Sequence, residues 1–274
     1  MKETQGRNVS ELLFEEYLRE NNVADWDYEP TLPGTSKRPD YRVLWTEKEY
    51  LIEVKEFQQR KPFPIGTVEL DLYTAIRDKI HAAKEKFKNL KSYSCSLVIF
   101  NNVDWEVKTN PLIVFGAMRG NLGIAWDFDA SGETIVDSAS SNVCLGGGKM
   151  QPEQNTTINA VIVLENLQVE SAFFRRELDA KWERERSMLK RDLSFAESAG
   201  IVYSHYDEFP SGGKNVPRLV VIENPFAKIK LADDIFHGPF DERWSTENGV
   251  FRRVFLGKSL CEEFVPAASQ INSD

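Results

Sequence analysis

Pro39-Asp40-Tyr41-Arg42-Val43-Leu44-Trp45-Thr46, then the polar turn Glu47-Lys48-Glu49, then Tyr50-Leu51-Ile52-Glu53-Val54-Lys55-Glu56-Phe57: the fold of this chain is decided by how these residues are read. Both halves are rich in β-branched and aromatic residues and are parted by charged ones, so 40–46 and 50–57 read as the two strands of a hairpin. Side chains alternate faces along a strand. Glu53 and Lys55 therefore share one face, and Val54 turns to the other with Ile52. Charged groups on a strand that otherwise reads as buried are costly unless something pairs with them. A metal ion between Asp40 and Glu53, with Lys55 beside it to balance charge, would supply that pairing.

The flanking segments extend the pattern. Residues 8–21 read as an amphipathic helix, with Val9, Leu12, Leu13 and Tyr17 on its apolar face and Asn8 or Ser10 as cap. On that wheel Glu11 and Glu15 fall on the polar side. Glu16 lies between Leu12, Leu13 and Tyr17 and is expected to face the sheet, with Glu20 one turn later as the alternative. Residues 71–90 give the clearest helix, with Leu72, Ile76, Ile80, Ala83, Phe87 and Leu90 on one face. The run Cys95-Ser96-Leu97-Val98-Ile99-Phe100 suits a buried central strand.

Pro39-Asp40, thirteen positions, then Glu53-Val54-Lys55, with a helical glutamate upstream, resembles the PD-(D/E)xK nuclease superfamily. The resemblance covers residues 9–100 and includes the helix–hairpin–helix–strand order. It implies an α/β fold of the restriction-endonuclease-like kind, a central mixed sheet flanked by helices, here with a C-terminal elaboration. It also implies one or two Mg²⁺ or Mn²⁺ ions and hydrolysis of phosphodiester bonds, DNA being favoured over RNA as substrate. By this resemblance Asp40, Glu53, the Val54 carbonyl and Glu16 are the expected metal ligands, and Lys55 serves the attacking water or the developing charge. Oxygen donors of this kind suit Mg²⁺. A catalytically silent module that keeps the fold and binds nucleic acid or a protein partner is the competing expectation.

Net charge is −9, which argues against a basic coat, yet carboxylates that hold metal inflate that figure. What matters is where positive charge gathers. Between Arg77 and Lys91 there are six basic residues and only two acids, so Arg77, Lys79 and Lys84 are candidate nucleic-acid contacts. Arg60 and Lys61, just after the catalytic strand, are further candidates for a phosphate backbone. Leu145-Gly146-Gly147-Gly148-Lys149 lacks the spacing of a phosphate loop, and His81, His205 and His237 have no metal spacing.

Residues 111–117 are expected as a strand, 129–157 as a flexible loop or insertion, 158–165 and 217–223 as strands, and 170–198 as a long charged helix. On this reading residues 1–128 are the nuclease core, 158–266 continue the same domain, and 267–274 fray. No apolar run is long enough to span a bilayer, so no membrane association is expected. Met1–Arg7 has no apolar stretch behind it, and three widely spaced cysteines point to reduced thiols, so a cytoplasmic protein, alone or as a homodimer, is expected.

Overall fold

A computed structural model of the chain describes residues 6–33, 37–58, 71–102, 104, 106–125, 141–170, 172–189, 191, 197, 201, 213–247 and 250–263. The expected hairpin is present as β2 (Tyr41–Trp45) and β3 (Lys48–Phe57), antiparallel, with Tyr41 opposite Ile52 and Trp45 opposite Lys48. Tyr50, Leu51, Ile52 and Val54 are at most 2% exposed. Burying an aliphatic side chain of this size contributes about 2 kcal/mol, so a one-residue slip that exchanged faces would forfeit several such terms at once.

The hairpin turn itself is under strain. Thr46 and Glu47 both have positive φ, 45° and 66°, as a tight primed turn requires. Neither residue suits that region. Replacing them by Asn-Gly (T46N/E47G) should raise stability by about 1–2 kcal/mol. The urea midpoint would show it, and an unchanged midpoint would mean the turn relaxes by other means.

Around the hairpin an eight-stranded mixed sheet is built. β1 (Trp26–Tyr28) pairs antiparallel with β2, and β4 (Ser94–Asn101) pairs parallel with β3, Glu53 lying opposite Leu97. β5 (Gly120–Ala125) and β6 (Ser141–Gly147) make a separate antiparallel pair. β7 (Ile158–Glu170) continues the main sheet in parallel with β4, followed by β8 (Gly213–Glu223), β9 (Glu242–Glu247) and β10 (Val250–Leu256). β9 is parallel to β8 and antiparallel to β10.

Two hydrophobic clusters cover opposite faces of this sheet, as the period-two alternation demands. One holds Ile52, Val54, Val98 and Ile162 against α1 (Val9–Glu20). The other holds Leu51, Phe57, Leu97 and Ile99 against α2 (Thr74–Phe87) through Ile76, Ile80, Ala83 and Phe87. Glu53 and Lys55 have the parity of Leu51 and Phe57, so they stand on the α2 face. The Cys95 thiol is buried in the same cluster, and burial pushes its pKa up to about 12, so it is inert as a nucleophile.

Residues 111–117 are not a strand. They belong to α3 (Pro111–Arg119), started by Asn110, whose side-chain oxygen accepts the Ile113 N–H at 3.1 Å, and by proline at the first turn. The apolar run Leu112-Ile113-Val114-Phe115 suits either structure, and the cap decides between them. Within 129–157, residues 129–140 lie outside the described residues, while 141–147 form β6 rather than a loop.

The chain divides into two compact units, Met1–Glu165 with Arg218–Cys261, and Asn166–Pro217 with Glu262–Asp274. The first contains the hairpin, α1, α2 and α3. The second contains α4 (Ala172–Leu189), within the helix expected at 170–198. Among the described residues no helix is long and apolar enough to cross a membrane.

Candidate active site

Asp40 sits immediately before β2, beyond the point where β2 ceases to pair with β3. There the Val54 N–H has no strand partner, and it donates instead to Asp40 Oδ2 at 2.7 Å. A residue's carbonyl leaves a strand on the same side as its N–H, so the Val54 carbonyl also faces this gap. Two residues' worth of backbone thus bring Asp40 beside the Glu53-Val54-Lys55 triplet, as the sequence spacing suggested.

Glu53 is 1% exposed, and the Lys55 Nζ lies 2.5 Å from its Oε1. The second lysine of the site comes from α2. Lys86 Nζ lies 2.5 Å from Glu53 Oε2 and donates to Asp40 Oδ1 at 2.9 Å. Two carboxylates and two ammoniums therefore form one charge-balanced cluster. Burial pushes the Glu53 carboxyl above its ordinary value and Asp40 adds to that, while Lys55 and Lys86 pull it back. For Lys86, burial alone would depress the ammonium, but its bonds to Glu53 and Asp40 outweigh burial and hold it above the usual lysine value.

The helical acid was misassigned. Glu16 is exposed, whereas Glu11 and Glu15 are 9% and 3% exposed. The expected apolar face leaned on Val9 and Leu12, which are 53% and 38% exposed; the true face centres on Phe14, with Tyr17 and Leu18. That rotation puts Glu16 on the outside. Glu15 is occupied elsewhere, 2.6 Å from Arg7 Nε and accepting the Tyr41 hydroxyl at 3.1 Å. Glu11 is largely buried and lies within electrostatic reach of Asp40 and Lys55. Its carboxyl is raised by burial and by the charges of Asp40 and Glu29, against the lowering pull of the Asn8 N–H and of Lys55. It also serves the helix, since Glu11 Oε2 accepts the Asn8 N–H at 2.9 Å in a capping box.

The basic candidates separate. Lys79 lies on the same edge of α2 as Lys86, two turns earlier, with its Nζ 5.3 Å from the centre of the Phe57 ring. Lys84 is half-buried. Arg77 turns away from the site and donates to Asn121 Oδ1 at 2.7 Å, where it braces β5. Arg60 and Lys61 lie outside the described residues. Lys86 was the omission. It was visible only as one of six basic residues, yet it stands three residues after Ala83 and four before Leu90, at the border of the buried stripe.

Whether these residues fit a divalent ion is decided by their donors. Among the described residues no three acidic, histidine or cysteine side chains converge to hold a metal unaided. Mg²⁺ seldom asks for that: it keeps several waters and takes one or two carboxylates together with substrate phosphate. Asp40, Glu53 and the Val54 carbonyl meet this requirement, and the Lys86 ammonium shows that one cation can span both carboxylates. Comparison with family models, with curated proteins and with solved structures found no match to this chain.

Proposed function

We propose that the chain is a metal-dependent nuclease with a restriction-endonuclease-like core, hydrolysing phosphodiester bonds of DNA. The observation that carries this reading is the convergence of Asp40, Glu53 and Lys55 on one covered face of the sheet, with the Val54 amide held by Asp40. Asp40, Glu53 and the Val54 carbonyl would hold Mg²⁺ or Mn²⁺. When bound, the ion offsets the charge of the phosphodiester and lowers the pKa of a bound water.

The rest falls to the chain's own groups. Lys55, 31% exposed and ion-paired with Glu53, has its ammonium at the mouth of the cluster. As an ammonium in that position, its part is to stabilise negative charge on phosphate or water. Glu53, deep and nearly without solvent, fixes the Lys55 ammonium in direction. Glu11, on α1, is within electrostatic reach of Asp40 and Lys55 and adds negative field that favours a cation there.

Plasmid, linear and single-stranded DNA, and RNA, incubated with Mg²⁺, Mn²⁺ or EDTA, test the proposal. Cleavage that needs metal is expected; its absence with every substrate and metal would sink the reading. A specific observation favours one alternative. Both carboxylates are already balanced by lysines, as in a structural ion-pair cluster that pins α2 to β3, and a silent nucleic-acid-binding module would show this too. Binding without cleavage in the same assay would support it.

Lys79 and Lys84 carry the expected backbone contacts on α2. Reversing both charges (K79E/K84E) should weaken DNA binding and reduce the slope of log affinity against log salt by about 2, since fewer counterions are released. An unchanged slope would move the binding surface elsewhere on the protein.

A further inference from the structure

Each site carboxylate has one oxygen held by β2–β3 and one held by α2. Glu53 Oε1 pairs with Lys55 and Asp40 Oδ2 accepts the Val54 N–H, both from β3. The remaining oxygens, Glu53 Oε2 and Asp40 Oδ1, are both taken by Lys86 at 2.5 and 2.9 Å. Asp40 and Glu53 are the residues that would hold a divalent cation, and an ammonium seated between them repels one there.

We propose that Lys86 is an exchangeable internal counter-cation: it fills the position of the divalent ion in the metal-free protein, and metal enters only by displacing it. This inference rests on the nuclease reading of the site. Three features suit Lys86 to exchange. It comes from α2, so it can leave without disturbing Lys55 on β3. Its stem is a flexible four-carbon chain. Its side chain is 24% exposed, against 1% for Glu53, so a path to solvent is open to it. The ammonium thereby sets the metal concentration at which the enzyme switches on, and it favours ions that bind carboxylates tightly enough to evict it.

The test measures metal binding directly on the full chain. Mn²⁺ affinity is read by calorimetry and by the loss of the free-ion paramagnetic resonance signal, for wild type, Lys86→Met, Lys86→Gln and the control Lys84→Met. Losing an ion pair and a charge-assisted hydrogen bond that compete with the ion should tighten Mn²⁺ binding in Lys86→Met by about ten- to a hundredfold. Lys84→Met should match wild type. Melting temperature gives a second reading: Lys86→Met should melt lower than wild type without metal, because buried Glu53 and half-buried Asp40 lose a shared counter-charge, and should gain more on adding Mn²⁺. Lys86→Gln keeps a neutral donor at the position and should show the same tightening if the methionine variant does not fold. Wild type that binds Mn²⁺ while both Lys86 variants bind it equally or more weakly would overturn the exchange and leave the nuclease reading standing. Absence of Mn²⁺ binding in every protein, with no cleavage by wild type, would overturn both.

Discussion

Asp40→Ala and Glu53→Gln should each abolish metal-dependent cleavage, leaving nothing above the EDTA background. Each removes one of two carboxylates that would share a cation, leaving one carboxylate and the neutral Val54 carbonyl both to hold it and to aim its water. The fold should survive in both, because the residues that bury the hairpin, Leu51, Ile52 and Val54, are untouched. Lys55→Ala should also lose cleavage but still bind Mn²⁺, since the ammonium acts on phosphate and water. Ca²⁺ should support DNA binding with little cleavage, its looser coordination shell placing the water poorly. Cleavage of supercoiled plasmid at matched circular dichroism is the measurement, and an Asp40→Ala protein as active as wild type would mean the site lies elsewhere.

The largest effect on stability is expected far from that site. Asp241 is 1% exposed and accepts three hydrogen bonds: the Tyr17 hydroxyl, the Leu219 N–H at 2.8 Å and the Gly238 N–H at 2.6 Å. Asp241→Ala strands all three donors in the interior and should cost roughly 3–5 kcal/mol. Burial raises the Asp241 carboxyl to about 6, against the pull of those donors. The sign of its pH dependence follows. Between the unfolded value near 4 and about 6 the native state holds more protons than the unfolded chain, so stability falls as pH rises through that window. Asp241→Asn cannot titrate and should flatten that part of the profile. Urea midpoints from pH 4 to 7 would show it, and identical profiles for the two proteins would remove Asp241 as the cause.

The β2–β3 hairpin was legible because its signal is local. Alternation fixed which way Glu53, Val54 and Lys55 point, and the spacing to Asp40 matches one antiparallel turn. α2 and β4 were legible for the same reason, strong periodicity over a long run. α1 was found but rotated wrongly: two exposed apolar residues, Val9 and Leu12, drew the face toward Glu16, and nothing in the sequence says which leucines reach the sheet. α3 was read as a strand because β-branched residues were weighed above the Asn110-Pro111 cap. Lys86 and Asp241 owe their roles to partners 46 and 224 residues away, and a single sequence contains no trace of such pairings. β9 and β10 were missed because Glu242–Glu247 and Val250–Leu256 carry charged residues on both faces of an outer hairpin.

The spans of those two contacts bear on how the molecule comes to exist. Every ion pair of the cluster joins residues between Asp40 and Lys86, so its loops are short and cheap to close. The Tyr17–Asp241 bond closes a loop of almost the whole chain. During synthesis, which delivers the N-terminal part first, β2, β3 and α2 can meet while β8 to β10 are still unmade. The acids and lysines then neutralise one another at once, with no ion required from the surroundings. A half-finished chain would thus have its charge cluster assembled and balanced, and Asp241, arriving later, would tie α1 to β8.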